Sequence, residues 1–226
     1  MEAKIEKLKE KGAAKKKAID DNRAKLDAKG YKPEKYEVFT EALDDLNNKD
    51  AEQEKSVELA ESKTAEQNAV KDGCTELAGK TFNAAKSAFN GDQKMLKLFK
   101  VDEKIPRALK PLGVFCQYLG NTAQENKAVM LDNGLEEEDI TNLQSAPIRL
   151  EDADTAQGSA LKAQKTATIL RDQAGDKVKS EITKIESFVK AKFQKDTEML
   201  VAFDVLPKPR GRKSSKNTKP PTPPAQ

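Results

Sequence analysis

The chain has no histidine and no tryptophan, and aromatic residues make up only 5% of it. Without an imidazole there is no ordinary general base at neutral pH and no partner to activate a serine or cysteine nucleophile. The Glu-x-x-His ligand sets of di-iron bundles are excluded for the same reason. The two cysteines, Cys74 and Cys116, form no CxxC pair. Neither a disulfide framework nor a zinc site is expected from them, and each reads as a small core residue. Walker A loops, GxGxxG turns and GxSxG elbows do not occur. No catalytic, cofactor-binding or metal-ligating residue is therefore nominated, and the chain is expected not to be an enzyme. No stretch approaches the roughly 20 apolar residues of a membrane span. The N-terminus is charged from Glu2 onward and lacks the apolar core of a signal peptide. The expectation is a cytoplasmic protein with no membrane span.

What the chain has in abundance is charge, at 35% of residues, together with Ala, Lys, Glu and Leu throughout. This is the composition of long helices with a thin, Ala-rich core. Runs of β-branched and aromatic residues that build strands are missing. The fold class expected is all-α.

Comparing the chain with itself at a shift of 104 residues exposes a repeat. Lys86, Phe89, Asp92, Met95, Leu96, Phe99 and Val101 recur as Lys190, Phe193, Asp196, Met199, Leu200, Phe203 and Val205. Without a gap, the same shift aligns Asn22 with Asn126, Gly30 with Gly134 and Lys80 with Lys184. Convergent helical periodicity explains matched apolar faces, but not matched Gly30/Gly134 or Asp92/Asp196. The reading is a tandem duplication of one helical-hairpin unit: residues 1–103, then 104–206, closing together as an antiparallel, coiled-coil-like bundle. Separate hairpins joined through residues 102–111 are the alternative arrangement.

Each unit opens with a helix, roughly Ala3–Ala28 and Leu109–Leu131. Its apolar positions are Ile5, Leu8, Ile19 and Leu26 in the first copy, and Leu112, Phe115, Leu119, Val129 and Met130 in the second. Gly30 and Gly134 then supply the left-handed residue of a helix C-cap. A second helix begins at Lys32-Pro33-Glu34 in the first copy and at Glu136, Glu137, Glu138 and Asp139 in the second. Acids there complement the electropositive helix start, and they lack the alternating ligands and turn glycine of a calcium loop. Pro147 is expected to break or kink this segment. A long helix follows, roughly Asp50–Phe89 and Glu151–Phe193. In the second copy Ala163, Ala167, Leu170, Ala174, Val178, Ile182, Ile185 and Val189 form one apolar stripe spaced by threes and fours. Each unit closes on the shared motif. Asp92 and Asp196 are expected to cap a short helix. Phe89, Met95, Leu96 and Phe99, with Phe193, Met199, Leu200 and Phe203, are expected to latch it onto the bundle.

Residues 207–226 differ from the rest. They hold six basic residues and no acid, so against a chain total of +3 the first 206 residues sum to −3. Rich in proline and without apolar anchors, this tail is expected to be disordered. Its Pro209-Arg210-Gly211-Arg212-Lys213 resembles the AT-hook family of minor-groove DNA-binding peptides. That resemblance implies Arg210 and Arg212 entering a narrow A·T groove, Gly211 allowing close approach to its floor, and Lys208 and Lys213 touching phosphates. The family's proline after the second arginine is Lys213 here. A generic basic tail, binding nucleic acid without base preference at low salt, fits the same residues.

Two functional expectations follow. The first is a structural or adaptor protein whose partner is another protein or a second copy of the chain. The second is a nucleic-acid-associated protein that contacts DNA through the tail.

Overall fold

Strong helix formers carry nearly the whole chain into helix. In the computed structural model, which describes residues 2–206 (for Glu2 the backbone alone), 84% of the described residues are helical and none lies in a strand. The all-α expectation is met, and the basic tail lies outside the described residues. Among those described, the helices are α1 (Glu2–Asp21), α2 (Arg23–Ala28), α3 (Pro33–Ala88), α4 (Gln93–Leu98), α5 (Leu109–Glu125), α6 (Lys127–Asp132), α7 (Glu137–Gln144), α8 (Ala146–Lys192) and α9 (Thr197–Ala202).

Residues 104 apart take the same local geometry at several points. The opening helix is not continuous in either half, contrary to the sequence expectation. It breaks at Asn22 and at Asn126, whose side-chain amides donate to the carbonyls of Ala18 and Thr122, both at 2.9 Å. An Asn side chain that bonds the preceding turn competes with the helical ladder. Gly30 and Gly134 both have positive φ, 83° and 95°. In each case the next amide reaches back five residues, Tyr31 to the Leu26 carbonyl at 3.0 Å and Leu135 to that of Met130 at 3.1 Å. This is the Schellman closure of a helix end. It recurs after α4 and α9, where Lys100 and Asp204 sit at φ 52° and 47°. There Val101 and Val205 donate to Leu96 and Leu200.

Two other expectations are corrected. The first half has no separate second helix, because α3 runs unbroken from Pro33 to Ala88. Asn47 and Asn48 cost only fractions of a kcal/mol as helix residues, and the buried Leu43, Leu46 and Asp50 around them hold the segment. The second half does break, at Ser145. Pro147 lacks the amide that would continue α7, so it falls in the first turn of α8; the matching residue in α3 is Leu43. The apolar stripe of α8 is also shorter than its pattern implies. Ala174, Val178, Ile182, Ile185 and Val189 are buried, whereas Ala163 and Leu170 are exposed and Ala167 is half-buried.

The chain divides into two compact units. Unit 1 comprises residues 2–43 and 176–206, and unit 2 is Asp44–Gly175. Each draws on both halves of the sequence, and α3 and α8 contribute to both. Unit 1 buries Ile19, Leu26, Phe39, Val178, Val189, Met199 and Phe203. Unit 2 holds two clusters. One gathers Cys74, Ala78, Leu112, Cys116, Leu119, Leu143 and Leu150. The other gathers Ala85, Phe99, Ala123, Met130, Leu135 and Ile140. Within unit 2, α3 and α8 run antiparallel, since Gln53 bonds Arg171 while Gln67 bonds Asp154.

Glycine permits the closest helix approach in unit 2. A Cβ on Gly120 would lie 2.8 Å from the Gln144 nitrogen and 2.9 Å from the Leu143 Cβ. Neither backbone can yield without separating α5 from α7. Gly120→Ala is expected to destabilise by about 1–3 kcal/mol. Gly158→Ala, in the open interior of α8, is expected to stabilise by up to about 1 kcal/mol. Urea midpoints of the two variants moving in the same direction would contradict this packing.

Candidate functional site

The shared motif forms a compact structural element in each unit. In unit 2, Asp92 caps α4, its carboxylate accepting from the amides of Lys94 (3.0 Å) and Met95 (3.2 Å). Phe99 is fully buried, and Phe89 stacks on it at 5.6 Å between ring centroids. Met95 and Leu96 pack on the same cluster while partly exposed. In unit 1, Asp196 caps α9 through the Met199 amide at 3.1 Å. Phe193, Met199, Leu200 and Phe203 are all buried there. The geometry is that of a helix end pinned to its own core.

Each unit also buries a charged side chain, which hydropathy reading did not flag. Lys15 is almost fully buried in unit 1. Its ammonium donates to the Phe203 carbonyl and pairs with Glu186 at 3.1 Å, and Lys11 joins the same carboxylate at 2.9 Å. Burial pushes the Glu186 carboxyl up, but the hydrogen bonds from Lys11 and Lys15 outweigh it and hold the group below its ordinary range. In unit 2, Arg171 is 3% exposed. Its guanidinium donates to Gln53 at 3.1 Å and to Asp172 at 3.0 Å, and it faces Asp50 at 4.0 Å. A charged residue in a helical pattern reads as a solvated face, so only the structure finds these two.

Cys74 and Cys116 lie in the core of unit 2 as free thiols. The Cys116 thiol donates to the Cys74 carbonyl at 3.4 Å. Interaction with Cys74 and burial push the Cys116 thiol up, so it remains protonated. Among the described residues no group of acids and cysteines is arranged to hold a metal ion.

One position does carry a readable signal. In unit 2, Lys80 bridges Asp139 at 2.6 Å and Glu136 at 3.2 Å. At the shift of 104, Lys80 corresponds to Lys184, but Glu136 and Asp139 correspond to Lys32 and Lys35. Two acids and a lysine in one half are three lysines in the other, where Lys184 pairs instead with Glu181 at 2.6 Å.

Lys208, Arg210, Gly211, Arg212 and Lys213 lie outside the described residues. No helix among the described residues is long and apolar enough to cross a membrane. No protein-family model, curated protein or solved structure matches the chain.

Proposed function

We propose that the chain is a non-enzymatic structural or adaptor protein, built from two copies of one helical unit, that binds another protein or a second copy of itself. The duplication is supported by the shared motif and by the paired turn geometries at Asn22/Asn126, Gly30/Gly134 and Lys100/Asp204. The binding role rests on one observation in unit 2. Along α8 the stripe is buried from Ala174 onward, and within unit 2 its edge at Ala163 and Leu170 is exposed, beside the half-buried Ala167. Small residues at this spacing admit a close helix, and fully covering one leucine contributes about 1.5–3 kcal/mol.

Sedimentation velocity and cross-linking of the full chain test this reading. The wild type should self-associate or cross-link to a protein partner. Leu170→Lys should weaken that association at least about tenfold with unchanged helicity. A wild type that stays monomeric at about 100 μM, far above a micromolar Kd, and captures no protein would sink it.

The basic tail favours a second reading, a nucleic-acid-associated protein. Full-length chain and a 1–206 truncation would be titrated with A·T-rich and G·C-rich duplexes at physiological salt. Preference for A·T that disappears with the tail supports an AT-hook-like contact through Arg210 and Arg212. Binding only at low salt and without base preference leaves a generic polycation.

A further inference from the structure

Cys74 on α3 and Cys116 on α5 stand 42 positions apart in the chain and meet in the core of unit 2. Both are free thiols, 1% and 0% exposed. The Cys116 thiol lies 3.4 Å from the Cys74 carbonyl, and its one proton also serves the Cys74 sulfur. That second hydrogen bond is the largest effect on Cys74. With burial opposing it and Arg149 assisting, it holds the Cys74 thiol down to about 7. Cys116 shifts upward, so Cys74 is the sulfur that ionises. A thiolate is the nucleophilic form of cysteine, and a cysteine buried among apolar groups is ordinarily inert. Cys74 departs from that rule because a second thiol faces it.

The surroundings of Cys74 favour a small oxidant. Gly73 and Gly79 lie on either side of it in α3, and nothing outside their own stretch of helix comes within 4 Å of where a Cβ would stand. Glycine weakens a helix interior, so α3 opens here more readily than in its Ala- and Glu-rich stretches. Hydrogen peroxide, little larger than water, needs only a brief local opening, whereas a glutathione-sized reagent needs a much wider one. Inside the core, an oxidised Cys74 meets no thiol but Cys116.

We propose that Cys74 and Cys116 are a peroxide-oxidisable pair that closes to an intramolecular disulfide and pins α3 to α5. The Cys74 thiolate attacks hydrogen peroxide: an S–O bond forms, the O–O bond breaks, and hydroxide leaves to join the proton Cys74 has lost. The Cys116 sulfur then attacks the resulting sulfenic acid: the S–S bond forms, the S–O bond breaks, and the departing hydroxide takes the Cys116 proton as water. Two thiols and one peroxide give one disulfide and two waters, the sulfurs losing the two electrons that the peroxide gains. This chemistry is independent of the exposed edge of α8.

The full chain, treated with a small molar excess of hydrogen peroxide, would be quenched with catalase, unfolded, alkylated with N-ethylmaleimide and weighed by mass spectrometry. The expected product is a monomer lighter by two hydrogens, free of alkyl groups and restored by dithiothreitol. Digestion should yield a Cys74–Cys116 cross-linked peptide. The urea midpoint of the oxidised chain should rise by about 1–2 M. Cys116→Ser keeps a donor beside Cys74 but no resolving sulfur. It should stop at a Cys74 sulfenic acid, which dimedone captures once the chain is unfolded. Cys74→Ala should leave Cys116 unmodified at the same dose. The proposal is overturned if both wild-type thiols remain open to alkylation, if the disulfide joins two chains, or if Cys74→Ala oxidises as fast as Cys116→Ser. An oxidised chain that unfolds at lower urea than the reduced one overturns it too, because the native helices would then be strained by the bond.

Discussion

Phe203→Ala is expected to lower the stability of the chain by about 3–5 kcal/mol, the usual cost of deleting a buried aromatic ring. The ring is fully buried in unit 1, so the substitution leaves a cavity as well as losing apolar burial. The position also organises its surroundings. The Phe203 amide closes α9 onto Met199, its carbonyl accepts the buried Lys15 ammonium, and the following Asp204 takes a positive φ. Against a typical total of about 5–15 kcal/mol for a folded domain, such a loss would leave a substantial unfolded population. Urea unfolding followed by circular dichroism measures it. Phe99→Ala, at the equivalent fully buried position of unit 2, should cost a similar amount. A loss below about 1 kcal/mol, the range of a surface substitution, would mean that the motif is not a latch.

The second large effect concerns Arg171. Arg171→Met should destabilise by about 3–5 kcal/mol, because it removes one partner from a buried charged cluster. Gln53 and Asp172 lose their donors, and the 10%-exposed Asp50 side chain loses its facing cation. Replacing Asp50 and Gln53 with leucine in the same chain should recover most of the loss, since a well-packed apolar substitute for a buried ion pair is often neutral or better. A double-mutant cycle reads the coupling directly. Additive losses would show that the cluster is not a cooperative unit. The contrast separates stability from specificity: the cluster adds little net energy, yet it ties residues 50–53 of α3 to one position on α8.

Much of the helical character was legible because it rests on local rules. Composition placed nearly every residue in helix, and Gly30 and Gly134 marked their turns because only a left-handed residue closes a helix that way. What failed was anything decided by tertiary contacts. Asn47 and Asn48 look like a stop, but their intrinsic cost is small beside the burial of Leu43 and Leu46. Val129, expected to face the core, is exposed, because the break at Asn126 resets the phase of the helix that follows. The α8 stripe gave the correct face but not its extent, since periodicity does not record where the covering helices end. Lys32 and Lys35 stand where Glu136 and Asp139 stand 104 residues later, but only the structure shows that Lys80 bridges both acids.

The division of the chain into units bears on how it is made. Unit 2 is one uninterrupted stretch, whereas unit 1 joins residues 2–43 to residues 176–206. On a ribosome, the first segment emerges long before the strip that completes its core, so Ile19, Leu26 and Phe39 must wait without Val178, Val189 or Phe203. Unit 2 can condense in that interval and shorten the effective loop that unit 1 must close, a loop whose entropic cost grows only slowly with length. The order of synthesis thus sets an order of assembly. Helices α1 and α2 stay dependent on residues 176–206, and a nascent chain cut short before Asp176 leaves them without the second strip of their core.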